Sequence, residues 1–290
     1  MRILLTGASG FVGSHLLHAL QKNSYSVTVC THRKHVGLAT KTHTITVDFM
    51  QLQRAEDWIA HLEGVDVVIN SVGIIAESSR QSFEMLHHQS PAALFHACEI
   101  AGVQRVIQIS ALGADETAVT PYHLSKKSAD DVLRNSSLDW FILRPSLIYG
   151  RGGKSSALFQ KLSNLPIIPL LDEGQQMIQP VHISDVVATV LRCLDVDVTG
   201  KQTIDVVGEK AVSYKDWLLT LRQKKSKPFF LKIPTPLIMR LSQFGRIFKS
   251  ALFNPDNIYM LQQNNVADST KLTHFLGRKP LSNTSGEHLK

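Results

Sequence analysis

The 290-residue sequence lacks several features that would set it apart from ordinary globular proteins. It has no run of about 18 apolar residues, so no segment is predicted to span a membrane. It has no internal repeats and no low-complexity tract, and 43% of its residues are hydrophobic, which is enough to build a large core. The first predicted strand begins at residue 2 and leaves no room for a signal peptide. We therefore expect a soluble, cytoplasmic protein.

Cysteine is scarce, and its spacing argues against redox and metal chemistry. Cys30, Cys98 and Cys193 are far apart and form no CxxC pair. His87 and His88 are the only adjacent histidines, and we do not expect them to form a zinc site. The sequence therefore predicts reduced, packed thiols and no metal site.

Positive charge is concentrated in the last third of the chain. The net charge is +7, and residues 201–290 carry 15 Lys and Arg against 6 Asp and Glu. These basic residues are spread out and few aromatic residues lie among them, which does not favour nucleic-acid binding. We expect a solvated basic surface and no nucleic-acid partner.

The N-terminus has the pattern of a phosphate-binding turn. A short apolar strand runs into glycines at positions 7, 10 and 13, and a helix with an apolar face follows. In such turns the first glycine allows a sharp bend, the second lets a pyrophosphate approach the backbone, and the third lets the helix pack closely on the strand. Free N–H groups at the helix N-terminus attract the phosphate. The sequence therefore predicts a nucleotide site here.

Strand-like and helical segments alternate through the first half of the chain. Strands are predicted at Ser26–Thr31, Thr44–Asp48, Asp66–Asn70, Arg105–Ser110 and Trp140–Leu143. Nearly continuous apolar strands in such an alternation predict a doubly wound parallel sheet covered by helices on both faces, an α/β fold.

The alternation of strand-like and helical segments ends after residue 150. Segments marked by prolines follow, and then a helix is predicted near Ser184–Leu194. We predict a dinucleotide-binding domain over 1–150 and a smaller, mixed substrate lobe over 151–290, with 184–206 returning to the first domain. A lobe at the carboxyl edge of the sheet would supply a pocket for a small-molecule substrate.

The residues that follow the second predicted strand favour a phosphorylated cofactor. About 20 residues beyond the glycines, an NAD site is expected to carry an acidic residue, whereas this chain has His32, Arg33 and Lys34. A guanidinium can bind a 2′-phosphate through a bidentate pair of hydrogen bonds. The sequence predicts NADP(H) over NAD(H); the alternative is a basic loop that only meets solvent.

Tyr122 and Lys126 form a candidate reactive dyad. A spacing of four places them on one helix face, one turn apart. A nearby cation would favour the phenolate and bring the pKa of the tyrosine toward neutral pH. Ser110, at the carboxyl end of a predicted central strand, would donate a hydrogen bond to a substrate carbonyl.

Together these residues resemble the short-chain dehydrogenase/reductase superfamily, in its extended or atypical, epimerase/dehydratase-like branch. The resemblance covers about residues 1–190. It rests on Thr6–Gly13, on the Tyr122/Lys126 dyad, on the segment Leu143–Gly150 and on the segment Pro180–Asp185. It implies a Rossmann fold, with Tyr122 as general acid/base, Lys126 on the nicotinamide ribose and Ser110 on the reacting carbonyl.

The glycine turn, the basic trio and the resemblance together give a set of predicted cofactor contacts. Besides Tyr122 and Lys126, these are Gly7, Ser9, Gly10, Phe11, Val12, Gly13, His32, Arg33, Lys34, Asp48, Phe49, Ser71, Val72, Gly73, Pro145, Leu147 and Ile148.

Two departures from the sugar-nucleotide epimerases bear on function. Ser110 and Tyr122 are only 12 residues apart, and Ile178-Gln179 stands where those enzymes tend to have an Arg-Asp pair. The chain is closer to the atypical branch, which includes proteins similar to the dinucleotide-binding accessory subunit of respiratory complex I. Two hypotheses follow: an NADP(H)-dependent oxidoreductase acting on a carbonyl or alcohol, which includes epimerase or dehydratase chemistry, and a non-catalytic dinucleotide-binding redox sensor or complex-assembly protein.

Residues 234–253 predict an amphipathic helix. Leu237, Leu241, Phe244 and Phe248 share one face, accompanied by Arg240, Arg246 and Lys249. An amphipathic helix of this kind more commonly packs on its own domain, here closing the substrate lobe. The alternative is peripheral contact of the basic C-terminal region with a membrane. The sequence predicts no oligomeric state.

Overall fold

A computed structural model describes residues 1–32, 42–224, 226–237 and 255–284. The chain divides into two compact units: Met1–Pro145 with Val186–Ile204, and Ser146–Asp185 with Asp205–Lys290. The sequence predicts a boundary at residue 150 and a return over 184–206. In the structure the chain leaves the first unit after residue 145 and returns to it over 186–204.

The strands and helices have the following bounds. The strands are β1 (Arg2–Thr6), β2 (Ser26–Thr31), β3 (His43–Thr46), β4 (Val67–Asn70), β5 (Arg105–Ile109), β6 (Asp139–Pro145), β7 (Ile148–Tyr149), β8 (Ile167–Leu171), β9 (Met177–Ile178), β10 (Val181–His182), β11 (Gln202–Val206), β12 (Val212–Ser213) and β13 (Phe229–Ile233). The helices are α1 (Phe11–Lys22), α2 (Glu56–Ile59), α3 (Ser90–Ala101), α4 (Pro121–Arg134), α5 (Lys154–Ser163), α6 (Ile183–Cys193) and α7 (Tyr214–Leu221). A π-helical segment, Glu84–Gln89, leads into α3, and two further helices are Pro255–Gln262 and Thr270–Leu276.

The largest sheet among the described residues has seven strands in the order β11-β6-β5-β4-β1-β2-β3. From β6 to β3, each strand pairs in parallel with its neighbour in the sheet. The chain adds β2 and β3 on one side of β1 and then crosses to β4 on the other side. This creates a switch point between β1 and β4, where doubly wound folds bind their ligands. The predicted fold class is confirmed.

Apolar packing fixes the helices on the sheet. On one face, Leu4, Val68 and Val106 from neighbouring strands lie in a buried cluster with Trp58 and Phe95 from the helical side. Consecutive residues of a strand point to opposite faces. Thr6, Asn70 and Gln108, each two residues further along its strand, therefore belong to the same face as this cluster, at the carboxyl edge of the sheet.

Local sequence signals define the start of α4. The Thr120 Oγ1 accepts a hydrogen bond from the His123 N–H at 3.2 Å, and Pro121 occupies the first turn. A threonine cap followed by proline is a strong start signal for a helix. The cap fixes where Tyr122 enters the helix.

The second unit is built from short strand pairs and helices. β9 pairs with β12, β7 with β10 and β8 with β13. Its core contains Tyr149, Phe159, Tyr214 and Trp217. No helix of the described residues is long and apolar enough to cross a membrane. Most of the amphipathic segment predicted at 234–253 lies outside the described residues.

Candidate active site

The first glycine turn follows β1 directly. Gly7 has a φ of +70°, and the N–H of Gly10 donates to the carbonyl of Gly7 at 2.9 Å. A Cβ at Gly7 would lie 2.7 Å from both the carbonyl carbon and the carbonyl oxygen of Ser71. A Cβ at Gly13 would collide with the carbonyl of Gly7. Positive φ and the lack of space both require glycine at position 7.

The start of α1 has the chemistry to receive a phosphate. Gly10 is the N-cap residue, and within this fully described helix there is no side-chain cap and no acidic residue in the first turn. The first N–H groups of a helix have no intrahelical partner and carry the positive end of the helix dipole. Ser9 and Gly10 are exposed, and Phe11 and Val12 are partly buried. These residues fit a dinucleotide pyrophosphate.

Replacing Gly7 with alanine should abolish dinucleotide binding and destabilise the fold. The left-handed backbone alone costs about 1–2 kcal/mol for alanine, and the added methyl group must displace the Ser71 backbone. Gly102→Ala is the matched control, because Gly102 has a φ of +71° but its Cβ would meet nothing within 4 Å. Urea unfolding and calorimetry with NADPH compare the two variants. Equal losses of stability, with NADPH binding intact in both, would contradict the crowding at Gly7.

A row of buried polar side chains crosses the switch point. Thr6 donates from Oγ1 to Asn70 Oδ1 at 2.6 Å, and Asn70 donates from Nδ2 to Gln108 Oε1 at 2.7 Å. Ser71 is attached to the same row, because its Oγ donates to the carbonyl of Thr6 at 2.6 Å. These bonds fix the Ser71-Val72-Gly73 loop beside the glycine turn. The set of predicted cofactor contacts did not include Thr6, Asn70 or Gln108.

Lys126 is buried and joins this loop to the next strand. Its Nζ donates to the carbonyl of Val72 at 3.2 Å and to the carbonyl of Ile109 at 3.1 Å. A Cβ at Gly73 would lie 3.3 Å from the same Nζ. Burial lowers the pKa of Lys126, while the nearby Asp130 carboxylate acts in the opposite direction. The ammonium therefore lies at the carboxyl edge between β4 and β5.

The Tyr122 ring is packed among aromatic neighbours. It makes edge contacts with Phe83, His87 and His123, with centroid distances of 5.7, 5.4 and 5.2 Å. Burial raises the pKa of Tyr122 to about 12. The sequence predicts a pKa lowered by Lys126, and the structure gives the opposite direction because desolvation dominates. Tyr122 is therefore a protonated phenol at neutral pH.

His87 is a part of the site that the sequence analysis considered only as a metal ligand. Its Nε2 accepts from the Ile74 N–H at 3.0 Å, so its Nδ1 carries the proton and donates to Ser125 Oγ, 3.1 Å away. Burial and the charge of Lys126 lower the pKa of His87 to about 2. A neutral imidazole thus links the loop after β4 to α4. The π-helical segment that carries it is a feature often found at functional sites.

The structure pairs Ser110 with a buried acid. Ser110 donates from Oγ to Asp130 Oδ2 at 2.5 Å, and both side chains are buried. Burial raises the pKa of Asp130. The hydroxyl proton of Ser110 is therefore directed to a carboxylate. Asp130 lies one helical turn beyond Lys126. This spacing is visible in the sequence, but Asp130 was not predicted as a site residue.

Only some of the residues predicted to bind the adenosine end of the cofactor lie within the described ranges. The His32 Nδ1 lies 3.6 Å from Asp48 Oδ1, and the N–H of Met50 donates to the same oxygen at 3.0 Å. Phe49 is in the core, with its ring centroid 5.1 Å from that of Trp58. Arg33 and Lys34 lie outside the described residues. Asp48 is thus placed at the carboxyl ends of β2 and β3, with Phe49 turned to the core beneath it.

Residues predicted at the nicotinamide end belong to both units. In the first unit, the carbonyl of Pro145 accepts from the Leu112 N–H at 2.9 Å. In the second, the carbonyl of Leu147 accepts from the Val181 N–H at 3.0 Å, and Ile148 pairs with Val181. Each of these residues is partly or fully buried.

The comparison with known families decides the broad identity. The profile described as "NAD dependent epimerase/dehydratase family" matches residues 3–208, which contain the glycine turn and the dyad. The chain belongs to this family. The resemblance predicted from the motifs is confirmed, and with it an NAD-dependent class of oxidoreductase-like enzyme.

Relatives of this NAD dependent epimerase/dehydratase family member have diverse names. It is 26% identical to a ceramide reductase of Caulobacter vibrioides over 82% of this chain and 75% of that protein. It is 27% identical to the mitochondrial NADH dehydrogenase [ubiquinone] 1 alpha subcomplex subunit 9 of Arabidopsis thaliana, over 80% of this chain. The chain covers 60% of that subunit and 55% of the NADH-ubiquinone oxidoreductase 40 kDa subunit of Neurospora crassa.

Solved structures share the fold over the whole chain. MoeE5 in complex with UDP-glucuronic acid and NAD superposes with a TM-score of 0.75 at 18% identity, covering 100% of this chain and 97% of that one. The UDP-glucuronic acid 4-epimerase of Bacillus cereus in complex with NAD gives 0.74 at 21% identity, with 100% and 97% covered. At these identities the likeness concerns the fold.

Proposed function

We propose that this protein is an NADP(H)-dependent oxidoreductase that moves hydride between the cofactor and a carbonyl or alcohol carbon of a small molecule. The observation that carries the proposal is the placement of Lys126. Its ammonium is held by the carbonyls of Val72 and Ile109, with Tyr122 one turn earlier on α4 and the glycine turn across the switch point. Family membership supports the nicotinamide cofactor.

The glycine turn supplies the cofactor cradle in this proposal. The N–H groups that follow Gly10 bind the pyrophosphate, with Ser9, Phe11 and Val12 around them, and Gly7 and Gly13 keep the backbone close. Asp48 would contact the adenosine, and the Ser71–Gly73 loop would help to hold the dinucleotide. Pro145, Leu147 and Ile148 contact the nicotinamide end. The bound nicotinamide supplies or accepts the hydride.

Lys126 holds the ribose in this mechanism. An ammonium has three N–H donors, and the carbonyls of Val72 and Ile109 take two of them. We assign the third donor to a ribose hydroxyl. The partial loss of hydration that lowers the pKa of Lys126 also strengthens such a hydrogen bond in the buried site.

Tyr122 exchanges the proton. In the reducing direction the carbonyl carbon gains the hydride, and the phenol O–H transfers its proton to the carbonyl oxygen, which leaves an alcohol and a phenolate that solvent reprotonates. The raised pKa of Tyr122 keeps the phenol protonated before the step. Ser110 does not donate to the carbonyl oxygen in this step, because its own proton is directed to the Asp130 carboxylate.

The substrate pocket of a sugar-nucleotide enzyme would need a positively charged side chain to bind the diphosphate of its substrate. Ile178 stands at the position of the expected arginine, and the amide of the neighbouring Gln179 is committed to hydrogen bonds within the second unit. It donates from Nε2 to the carbonyl of Gly208 at 2.7 Å and accepts at Oε1 from the Ala267 N–H at 3.1 Å. We therefore favour an uncharged carbonyl substrate, with epimerase or dehydratase chemistry as variations on the same hydride step.

The cofactor preference rests on charge. Arg33→Ala should weaken NADPH binding about 10- to 100-fold and leave NADH binding nearly unchanged, because only the 2′-phosphate requires the guanidinium. Calorimetric titration with both nucleotides measures the ratio. Arg54→Ala removes an exposed arginine of the first unit and serves as the control. An unchanged ratio in Arg33→Ala would show that the basic trio does not select the cofactor.

A second candidate is a non-catalytic dinucleotide-binding protein that senses redox state or supports assembly of a complex. Two observations favour it: the hydroxyl of Ser110 is directed to Asp130, and several relatives are named as complex I subunits. Turnover separates the two functions. Consumption of NADPH with any member of a panel of ketones and aldehydes supports the enzyme, and tight binding without turnover across the panel supports the binding protein.

We place the protein in the cytoplasm. Cys30, Cys98 and Cys193 are all free and buried, and free thiols are usual in reducing compartments. Burial raises the pKa of each thiol.

A further inference from the structure

An unusual apolar surface lies in the second unit, on the two-stranded sheet formed by β8 and β13. In its parallel register Ile167 pairs with Phe229, Pro169 with Leu231 and Leu171 with Ile233. Because side chains alternate along a strand, these six residues share one face of the sheet. We call them the β8/β13 face.

Three residues of the β8/β13 face are exposed to solvent, and the other three, Pro169, Leu171 and Ile233, are half-buried. Phe229 is 66% exposed, Ile167 is 52% exposed and Leu231 is 48% exposed. Leu165 and Leu237, just outside the two strands, are 41% and 50% exposed. A contiguous apolar patch of this kind marks a binding surface more often than a scattered apolar residue does.

The opposite face of the same two strands is turned to the core of the unit, except at the exposed Lys232. Ile168 and Leu170 are fully buried, and Phe230 packs on the core of the unit. On this side the Lys215 Nζ lies 4.9 Å from the Phe230 ring centroid, and Lys232 pairs with Glu173 at 2.7 Å. The core of the unit therefore contains Ile168, Leu170 and Phe230, and it does not contain the exposed residues Ile167, Phe229 and Leu231.

Positive charge lies at one end of the β8/β13 face, next to Phe229, whereas the exposed carboxylates of Asp172 and Glu173 follow Leu171 at the other end. Lys224 and Lys227 are exposed and precede Phe229 by five and two residues. An anionic surface that accepts apolar side chains matches both the exposed apolar residues and these lysines.

We propose that the β8/β13 face docks this protein on an anionic lipid bilayer, with Phe229, Leu231 and Ile167 inserted at the headgroup boundary and the neighbouring lysines on the lipid charges. Aromatic and aliphatic side chains supply the insertion, and basic residues supply electrostatic attraction that acts over about one Debye length. The association is peripheral and reversible.

Vesicle flotation tests the proposal directly. The full-length protein is mixed at low salt with vesicles of phosphatidylcholine that contain about one third phosphatidylglycerol, and with vesicles of phosphatidylcholine alone. We expect the protein to float with the anionic vesicles and to be released at about 0.5 M salt. The double variant Phe229→Ser/Leu231→Ser should lose about tenfold or more in the bound fraction.

Matched variants control for a general loss of apolar surface. Ile100 and Val196 are 64% and 95% exposed in the first unit, so Ile100→Ser/Val196→Ser removes similar exposed surface far from β8 and β13 in sequence. This control should float like the wild type, and thermal melts should show that both double variants are folded. Phosphatidylglycerol-independent flotation, or equal flotation of the wild type and Phe229→Ser/Leu231→Ser, would overturn the proposal. A wild-type dimer in gel filtration that Phe229→Ser/Leu231→Ser converts to a monomer would assign the β8/β13 face to a second copy instead.

Discussion

Tyr122→Phe should lower kcat for hydride transfer by about a thousandfold and leave NADPH affinity nearly unchanged. The variant removes the only proton that Tyr122 offers to a carbonyl oxygen. It keeps the ring that packs against Phe83 and His87 at centroid distances of 5.7 and 5.4 Å, so the fold of the site should survive. Steady-state kinetics with an accepted carbonyl substrate, together with calorimetric titration, measure the two quantities separately.

The control for this variant is Tyr25→Phe, which removes the hydroxyl of a tyrosine located between α1 and β2. It should retain wild-type kcat. A Tyr122→Phe enzyme with more than about a tenth of the wild-type kcat would show that another group supplies the proton. Lost NADPH binding in Tyr122→Phe would instead show that the hydroxyl holds the cofactor.

His87 should make the protein less stable in mild acid. Its pKa is lowered to about 2 in the folded state from 6.5, because burial and Lys126 disfavour the charged ring. Below pH 6.5, His87 is therefore protonated in the unfolded state but stays neutral in the folded state. Its contribution to the free energy of unfolding is fully present above pH 6.5. This contribution is lost as the pH falls, by up to about 1.4 kcal/mol per pH unit.

His87→Gln isolates this contribution. Glutamine can accept from the Ile74 N–H and donate to Ser125 Oγ, but it does not titrate. Urea unfolding at several values between pH 8 and about pH 5 should show a free energy of unfolding that falls more steeply with acid in the wild type than in His87→Gln, by a total of about 2 kcal/mol. Parallel curves for the two proteins would mean that His87 is readily protonated in the folded state.

The central sheet was predictable because its strands are short, apolar and separated by helical segments. The predicted and observed bounds of β2 are both Ser26–Thr31, and β5 ends at Ile109 where Ser110 was predicted. β6 extends to Pro145, beyond the predicted Leu143, because the Leu112 N–H continues the pairing to the carbonyl of Pro145. The spacing of apolar residues and the positions of turn residues indicate where such strands begin and end.

The chemistry of the site was less predictable, since it depends on contacts between distant residues. The spacing of Tyr122 and Lys126 is visible in the sequence, but the carbonyls that bind Lys126 come from Val72 and Ile109, 54 and 17 residues away. The direction of the Tyr122 pKa depends on the aromatic residues around it. Sequence spacing cannot show burial, and burial decides this pKa.

The second unit was the hardest to predict. Its strands β9 and β12 have two residues each, and Ile178 pairs with Val212 across a long stretch of chain. Such short segments carry no periodic signal. The side-chain amide of Gln179, which binds both Gly208 and Ala267, likewise shows its structural role only in the folded chain.

Calorimetric titration of the wild-type protein with NADPH and with NADH, backed by thermal-shift measurements, tests the central claim that the glycine turn and Lys126 hold a nicotinamide dinucleotide. We expect saturable one-to-one binding of both nucleotides, tighter for NADPH, that Gly7→Ala abolishes. Neither heat nor a thermal shift with either nucleotide, for a folded protein free of carried-over cofactor, would contradict it.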